Sequence, residues 1–284
     1  MEAAFAAVGA NVERIDLAAC DFDTRSPSGL ALPFLGSQLP DAVHVRTLSA
    51  GSFEAITKRL GVLHALAKLG VVVWNDARAI ERCVDKSMTS FLLARAGLPT
   101  PPTWTMESAD AARALIEREA PRGPLVLKPL FGAQGKGLRL IRRLEDLPAP
   151  EDIAGVYYLQ RFQPIGPEDF RDYRLFVLRG RVIAAMMRRA STWITNVKQG
   201  GQPSAVAPDP GMERLAVAAA EAVSAAIAGV DVLVTVDGAP TVLEVNSMPA
   251  WSGLQKVSPC NIAQAIASAM MDELGRRPTQ RRVS

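Results

Sequence analysis

The stretch "LVLKPLFGAQGKGLRLI", residues 125–141, sets Lys128, Lys136, Arg139 and three glycines inside an apolar run. Glycines let backbone N–H groups come close to phosphate oxygens, and a lysine on the strand just before such a loop adds a charge that reaches the same oxygens. About a hundred residues later, "VDVLVTVDGAPTVLEVN" carries three oxygen donors, Asp231, Glu244 and Asn246. Glu244 and Asn246 are two apart and so share one face of a strand. Asp231 joins them if the turn around Asp237-Gly238 has two or four residues, whereas a loop of three or five without a bulge would turn it away. Three oxygen donors suit Mg²⁺, a hard ion whose shell is completed by substrate phosphates and water. The chemistry expected is that of a metal-assisted phosphoryl group.

Two common phosphate motifs fail on this loop. A Walker loop needs G-x-x-x-x-G-K-[ST], but Gly135-Lys136 is followed by Gly137 and preceded at five residues by Leu130. A dinucleotide fingerprint opens a helix, and here the strand-like "LRLI" follows. What remains is strand, glycine loop, strand, a shape that can fold over a nucleotide as a lid.

The elements that must position these residues read as mixed helix and strand. From Met1 to about Val84, "MEAAFAAVGA" predicts a helix, "VERIDL" a strand, "SFEAITKRLGVLHALAKLG" a helix and "VVVWN" a buried strand, which together imply an open parallel α/β sheet. "DKSMTSFLLARAGLPTPPTW" predicts a helix capped by Asp85, with Met88, Phe91 and Leu92 on its apolar face. A helix over "SADAARALIEREA" precedes the lid hairpin. "VYYLQRF" reads as a strand, "DYRLFVLRGRVIAAMMRR" as a hairpin turning at Arg179-Gly180, about 212–228 as an alanine-rich helix, and about 261–274 as the last helix.

Composition excludes several classes. The 284 residues are 49% hydrophobic and 21% charged, an ordinary globular balance. Cys20, Cys83 and Cys260 lack metal spacing and only His44 and His64 are present, which gives no support to a disulfide framework, a Cys/His zinc site or a Ser-His-Asp triad. A reducing, cytoplasmic compartment is expected, with no targeting or membrane segment. Net charge is +3, part of it in the tail "GRRPTQRRVS", read as a solvated and disordered end, so nucleic acid is not expected as a partner.

Taken together, Lys86, "LVLKPLFGAQGKG", "DYR" and "GVDVL…LEVN" resemble the ATP-grasp superfamily, in particular its RimK-like branch of alpha-L-glutamate ligases. The resemblance covers nearly the whole chain. It implies an ATP-grasp fold, α/β to α+β, in four segments: an N-terminal pre-ATP-grasp domain over 1–84, a subdomain with the lid over 85–160, a subdomain with the metal site over 161–274, and the tail over 275–284. Relatives begin with a strand ahead of the helix at Met1, so the expectation is that this first strand is missing or that another element fills the sheet edge. A homo-oligomer, dimer or tetramer, is expected.

The activity implied is ATP-dependent joining of an amino acid, L-glutamate, to a carboxylate acceptor through an acyl phosphate, with Mg²⁺ (Mn²⁺ as an alternative). A small molecule or coenzyme of the tetrahydromethanopterin type is the preferred acceptor; a protein-tail ligase and a catalytically silent nucleotide-binding regulator are the alternatives. By matching motif positions, Lys86 and Lys128 hold ATP phosphates, residues 132–137 (Gly132, Gln134, Gly135, Lys136 and Gly137 among them) form the lid, and Gln160, Arg161 and Phe162 lie at the adenine hinge. Asp231, Glu244 and Asn246 bind the metal. Arg174 stabilises the transferring phosphoryl group, against the alternative of a structural ion pair with Asp172. Arg188, Arg189, Asn196, Gly200 and Gly201 face the amino-acid and acyl substrates.

This chain departs from the family pattern in three places. Arg161-Phe162 stands where an acid and a tyrosine are usual, Lys198-Gln199 where histidine and arginine are common, and "SMPAWSG" follows the metal asparagine. The last two point to an unusual acceptor.

Overall fold

The computed structural model describes residues 1–35, 38–132, 134–163 and 170–276. Two compact units divide the chain: residues 1–80 with 259–284, and residues 81–258.

The first unit opens with α1 (Glu2–Ala6), followed by an antiparallel ribbon of β1 (Asp21–Phe22) and β2 (Leu30–Ala31). Parallel pairing joins β3 (Ala42–His44) to β4 (Val72–Trp74) across the crossover helix α2 (Phe53–Lys68), whose N-cap Ser52 accepts from Ala55 N at 3.3 Å. The strand expected at "VERIDL" is absent among the described residues. Its apolar positions Val12, Ile15 and Leu17 do not alternate, and Asp16 instead caps a 3-10 turn by accepting from Ala18 N at 3.0 Å.

The boundary between the units falls within α3 (Ala77–Val84), and α4 (Lys86–Arg95) follows, capped as expected by Asp85, which accepts from Ser87 N and Met88 N. The buried face differs from the expected one: Met88 and Phe91 are exposed, while Thr89, Ser90 and Leu93 are buried. Burial of the two hydroxyls costs little because each has a partner: Ser90 Oγ shares a hydrogen bond of 2.7 Å with Tyr158 Oη, and Thr89 Oγ1 donates to the Arg82 carbonyl at 2.6 Å.

β5 (Thr103–Met106), α5 (Ala109–Glu119), β6 (Leu125–Lys128), β7 (Arg139–Ile141) and β8 (Tyr157–Arg161) build a four-stranded antiparallel sheet in the order β5-β8-β6-β7. One face is apolar: Leu125, Leu127, Tyr157 and Leu159 pack on Ala112, Leu115 and Ile116 of α5. Each such side chain, once buried, stabilises by about 1.5–3 kcal/mol. The two-residue period therefore forces Lys128 and Gln160 onto the opposite face.

A five-stranded antiparallel sheet follows, from β9 (Phe170–Leu178), β10 (Arg181–Ala190), β11 (Gln202–Ala205), β12 (Ile227–Val234) and β13 (Pro240–Asn246), in the order β11-β10-β9-β12-β13. The β9–β10 turn is at Arg179 (φ +49°) and Gly180 (φ +75°), as the sequence predicts. The alanine-rich helix α6 (Pro210–Ala222) ends six residues before the expected 228, because Ser224 (φ +60°) turns the chain and Ile227 already enters β12. α7 (Ser252–Gln255) closes this unit. α8 (Ile262–Arg276) belongs to the first unit, where it packs on α1, rather than to the segment 161–274 in which the sequence reading put it. Residues 277–284 of the tail lie outside the described residues, as does Ala133 of the lid. Among the described residues no helix is long and apolar enough to cross a membrane.

Candidate active site

The polar faces of the two sheets of the second unit meet in one pocket, lined by Lys86, Lys128 and Gln160 on one side and by Asp231, Glu244 and Arg188 on the other. The glycine loop and the segment around Asn196 complete the wall.

The hairpin that carries the oxygen donors has a five-residue loop, 235–239, which by itself would pair Asp231 with Leu243 and turn it away from Glu244. A bulge between Asp231/Glu244 and Val232/Val242 restores the register, and Asp231 stands directly opposite Glu244. Asn246 follows on the same face; its Oδ1 accepts from Met248 N at 2.9 Å. Among the described residues no three His, Cys, Asp or Glu cluster tightly enough to hold a metal. The donors are oxygens only, two carboxylates and an amide, which fits a hard cation that fills its remaining positions with phosphate and water.

Cross-strand pairing places the guanidinium groups. Asp231 on β12 faces Arg174 on β9, and Asp172 on β9 faces Arg188 on β10. Arg174 Nη2 donates to Asp231 Oδ2 at 2.7 Å and its Nε to Oδ1; Arg188 Nε donates to Asp172 Oδ1 at 2.7 Å and its Nη2 to Asp172 Oδ2. The same Arg188 Nη2 reaches Asp231 Oδ2 at 3.0 Å, which links all four side chains. Arg174 therefore pairs with Asp231 and not with Asp172, the partner weighed from the sequence. Burial alone would raise the Asp231 pKa, but Arg174 and Arg188 outweigh it and hold the group at about 2. Gly229 makes room for this arrangement, since a Cβ there would lie 3.0 Å from Arg174 Nη1 and 2.8 Å from Pro249 Cβ.

Lys128 Nζ donates to Gln160 Oε1 at 2.6 Å, and Gln160 Nε2 is in turn held by Thr103 Oγ1 at 3.3 Å. Burial depresses the Lys128 pKa to about 8, opposed by the negative charge of Glu244 and aided by the positive charge of Lys86. Lys86, also depressed by burial, donates to the carbonyls of Leu130 (3.2 Å) and Gly132 (2.9 Å), so its ammonium ties down the stem of the glycine loop. Gly137, at φ +73°, allows the loop to close: a Cβ would sit 2.8 Å from Pro129 Cγ.

Several expected site residues stand elsewhere. The Arg161 side chain points away from the Gln160 face, where it donates to Glu119 Oε2 at 2.7 Å and to the carbonyls of Glu119 and Gly123, and lies 5.9 Å over the Trp104 ring. Arg161 and Phe162 are nevertheless among the residues that border the pocket. Arg188 does line the pocket, as a buried ion-pair member, whereas Arg189, next on the strand, is exposed and outside the lining. Gly200 and Gly201 close a tight turn: Gly200 has φ +99°, and a Cβ on Gly201 would collide with the Thr195 carbonyl. Asp172, Trp193 and Thr195 line the pocket without having been singled out as site residues. Asp172 was detectable, being two residues before Arg174 on one strand face; Trp193, edge-on to Phe162 at 6.0 Å, carried no such signal.

Residues 83–270 match the RimK-like ATP-grasp domain family. A tetrahydromethanopterin:alpha-L-glutamate ligase of Methanococcus maripaludis is 38% identical over 200 residues, 68% of this chain and 67% of that protein. Its namesake in Methanosarcina acetivorans is 30% identical over 270 residues, 82% and 81% of the two chains. Among solved structures, the ATP-grasp ligase PsnB complexed with a phosphomimetic variant of its minimal precursor, Mg and ADP is similar at a TM-score of 0.72 and 22% identity, covering 96% and 93% of the two chains. A RimK domain ATP-grasp protein of Sphaerobacter thermophilus gives 0.69 and 21%, covering 94% and 92%. These last two likenesses concern the fold alone.

Proposed function

This chain belongs to the RimK-like ATP-grasp family, and from that premise we propose that its pocket joins the amine of L-glutamate to a carboxylate of a small-molecule acceptor. The acceptor proposed is a C1-carrier coenzyme of the tetrahydromethanopterin type, the compound in the names of the relatives above. The observation that carries this reading is the meeting, in one pocket, of two half-buried lysines with an oxygen-donor hairpin backed by paired guanidinium groups.

An acceptor carboxylate oxygen attacks the γ-phosphorus of ATP, the bond to the β-phosphate oxygen breaks, and ADP leaves. The amine then attacks the acyl carbon, phosphate departs with the bonding electrons, and the amine proton is lost to solvent. Both steps need positioning and charge neutralisation more than a tuned acid or base. Lys128 and Lys86 hold phosphate oxygens, and the glycine loop covers them. Arg174, whose Nε–Nη2 edge is held by Asp231 just behind the pocket lining, would supply positive charge to the phosphoryl group. Glu244, Asn246 and the remaining lone pairs of Asp231 would hold Mg²⁺, which when bound screens the β- and γ-phosphate charges.

Because Lys128 titrates at about 8, ATP affinity is expected to fall once the ammonium is lost. The sign is fixed by the neutral amine's lack of charge: affinity is constant below about pH 7 and weakens about tenfold per unit above about pH 8. Calorimetry in buffers of different ionisation enthalpy should show proton uptake on binding at pH 9 and none at pH 7.

The assay for the function is ADP release with Mg²⁺, L-glutamate and a carboxylate coenzyme acceptor, together with mass spectrometry of the product. A product heavier than the acceptor by one glutamyl unit is expected. ADP release that needs neither glutamate nor acceptor would sink the reading.

A further inference from the structure

The loop between β10 and β11 carries Asn196, Gly200 and Gly201, yet the segment it touches is the glycine lid. Gly135 has φ +72°, and a Cβ there would lie 2.5 Å from Asn196 Oδ1 and 2.9 Å from Ile194 Cγ2. From the same turn, Gln199 Nε2 donates to the Gln134 carbonyl at 3.4 Å. The turn is braced to serve as a fixed post. Gln199 N and Gly201 N both donate to the Asn196 carbonyl, at 2.8 and 3.1 Å, and Gly200 N donates to the Val197 carbonyl at 3.2 Å. Its root is anchored in the sheet, because buried Thr195 hydrogen-bonds Asp172, the carboxylate that Arg188 holds beside Asp231. A continuous run of contacts thus leads from the lid tip to the phosphoryl-transfer end of the pocket.

We propose, building on the ligase reading above, that this loop is the latch of the nucleotide lid, with Asn196 and Gln199 as positioning residues that hold Gly135 and Gln134 down. Position 135 takes glycine because a side chain there would occupy the seat of Asn196. Nucleotide residence is then governed from the acceptor side of the pocket. An acceptor seated against Asn196 and a lid closed over ATP share one support.

Stopped-flow release of mant-ATP in the presence of Mg²⁺, chased with unlabelled ATP, tests this on the full chain. Gln199→Ala removes the hydrogen bond to the lid and is expected to speed release about fivefold, the scale of one neutral hydrogen bond. Gly135→Ala wedges a methyl group between lid and latch, at a φ that alanine also resists, and is expected to speed release at least as much. Association should stay within about twofold in both, because the latch engages after the nucleotide has entered; the double variant should release about as fast as the faster single one, since the two neighbouring contacts act as one latch. If Gly135→Ala does not fold, Gln199→Ala decides alone. Release at the wild-type rate in the folded variants overturns the latch. A wild-type chain that binds no mant-ATP overturns the ligase reading and the latch with it.

Discussion

Glu244→Gln is expected to lower ligation by about a thousandfold, the scale of losing one charge-stabilising group in a preorganised site, while its Tm moves by no more than about 4 °C. The substitution keeps shape and removes charge. Glu244 is half-buried at the pocket wall, and its charge favours the ammonium forms of both Lys86 and Lys128. Two consequences separate this from a general loss of fold. Without that carboxylate a cation keeps a neutral amide oxygen but loses an anionic ligand, so the Mg²⁺ concentration needed for half-maximal activity rises. The Lys128 pKa drops further below about 8, so the alkaline loss of ATP affinity moves to lower pH. Activity within tenfold of wild type would remove Glu244 from the metal and phosphate end of the site.

Asp231→Ala is expected to destabilise the second unit as well as silence it. Asp231 is the shared acceptor for two buried guanidinium groups, and its removal leaves Arg174 without its counter-charge and Arg188 with Asp172 alone. Breaking a buried pair from one side costs about 3–5 kcal/mol, or a Tm lowered by on the order of 10 °C. Urea unfolding measures the loss, and Asp231→Ala combined with Arg174→Met should regain part of it, because the stranded charge is gone. The pH sign follows from the depressed Asp231 pKa. The stabilisation is complete above the unfolded carboxylate range near 4 and disappears as pH falls through about 2. A wild-type unfolding midpoint in the single variant would mean that the ion-paired quartet contributes nothing to the fold.

The parts of this site that sequence could show are those in which a polar residue interrupts an apolar pattern. Lys128 follows "LVL", and Glu244 sits between "TVL" and "VN", so in each case a two-residue period tells which face the charge occupies. The lid was legible by failing the helix-opening motifs. What sequence could not show was set by pairing over distance. Arg174 has Asp172 two residues away on the same face, and only the β9–β12 register reveals Asp231, 57 positions on, as its partner. For the stretch after Ala222, alanine suits a helix and a buried strand alike until Ser224 turns the chain. On α4 the large apolar residues named the wrong face, because Tyr158 and the Arg82 carbonyl satisfied two hydroxyls inside. β5 and β11 were missed altogether: "TWTM" and "QPSA" are short, and prolines stand beside or within them.

The bulge at Leu243 separates the geometry of the donor face from the length of the hairpin tip. Asp231 is gripped from its other side by β9, so the alignment of Asp231 with Glu244 is decided at the base of the hairpin and the turn is free to be something else. Val236 is 70% exposed at that tip. For the protein engineer this makes residues 236–238 a graft point: a fluorophore or an affinity tag carried there sits on the same hairpin as the oxygen donors and leaves their spacing untouched.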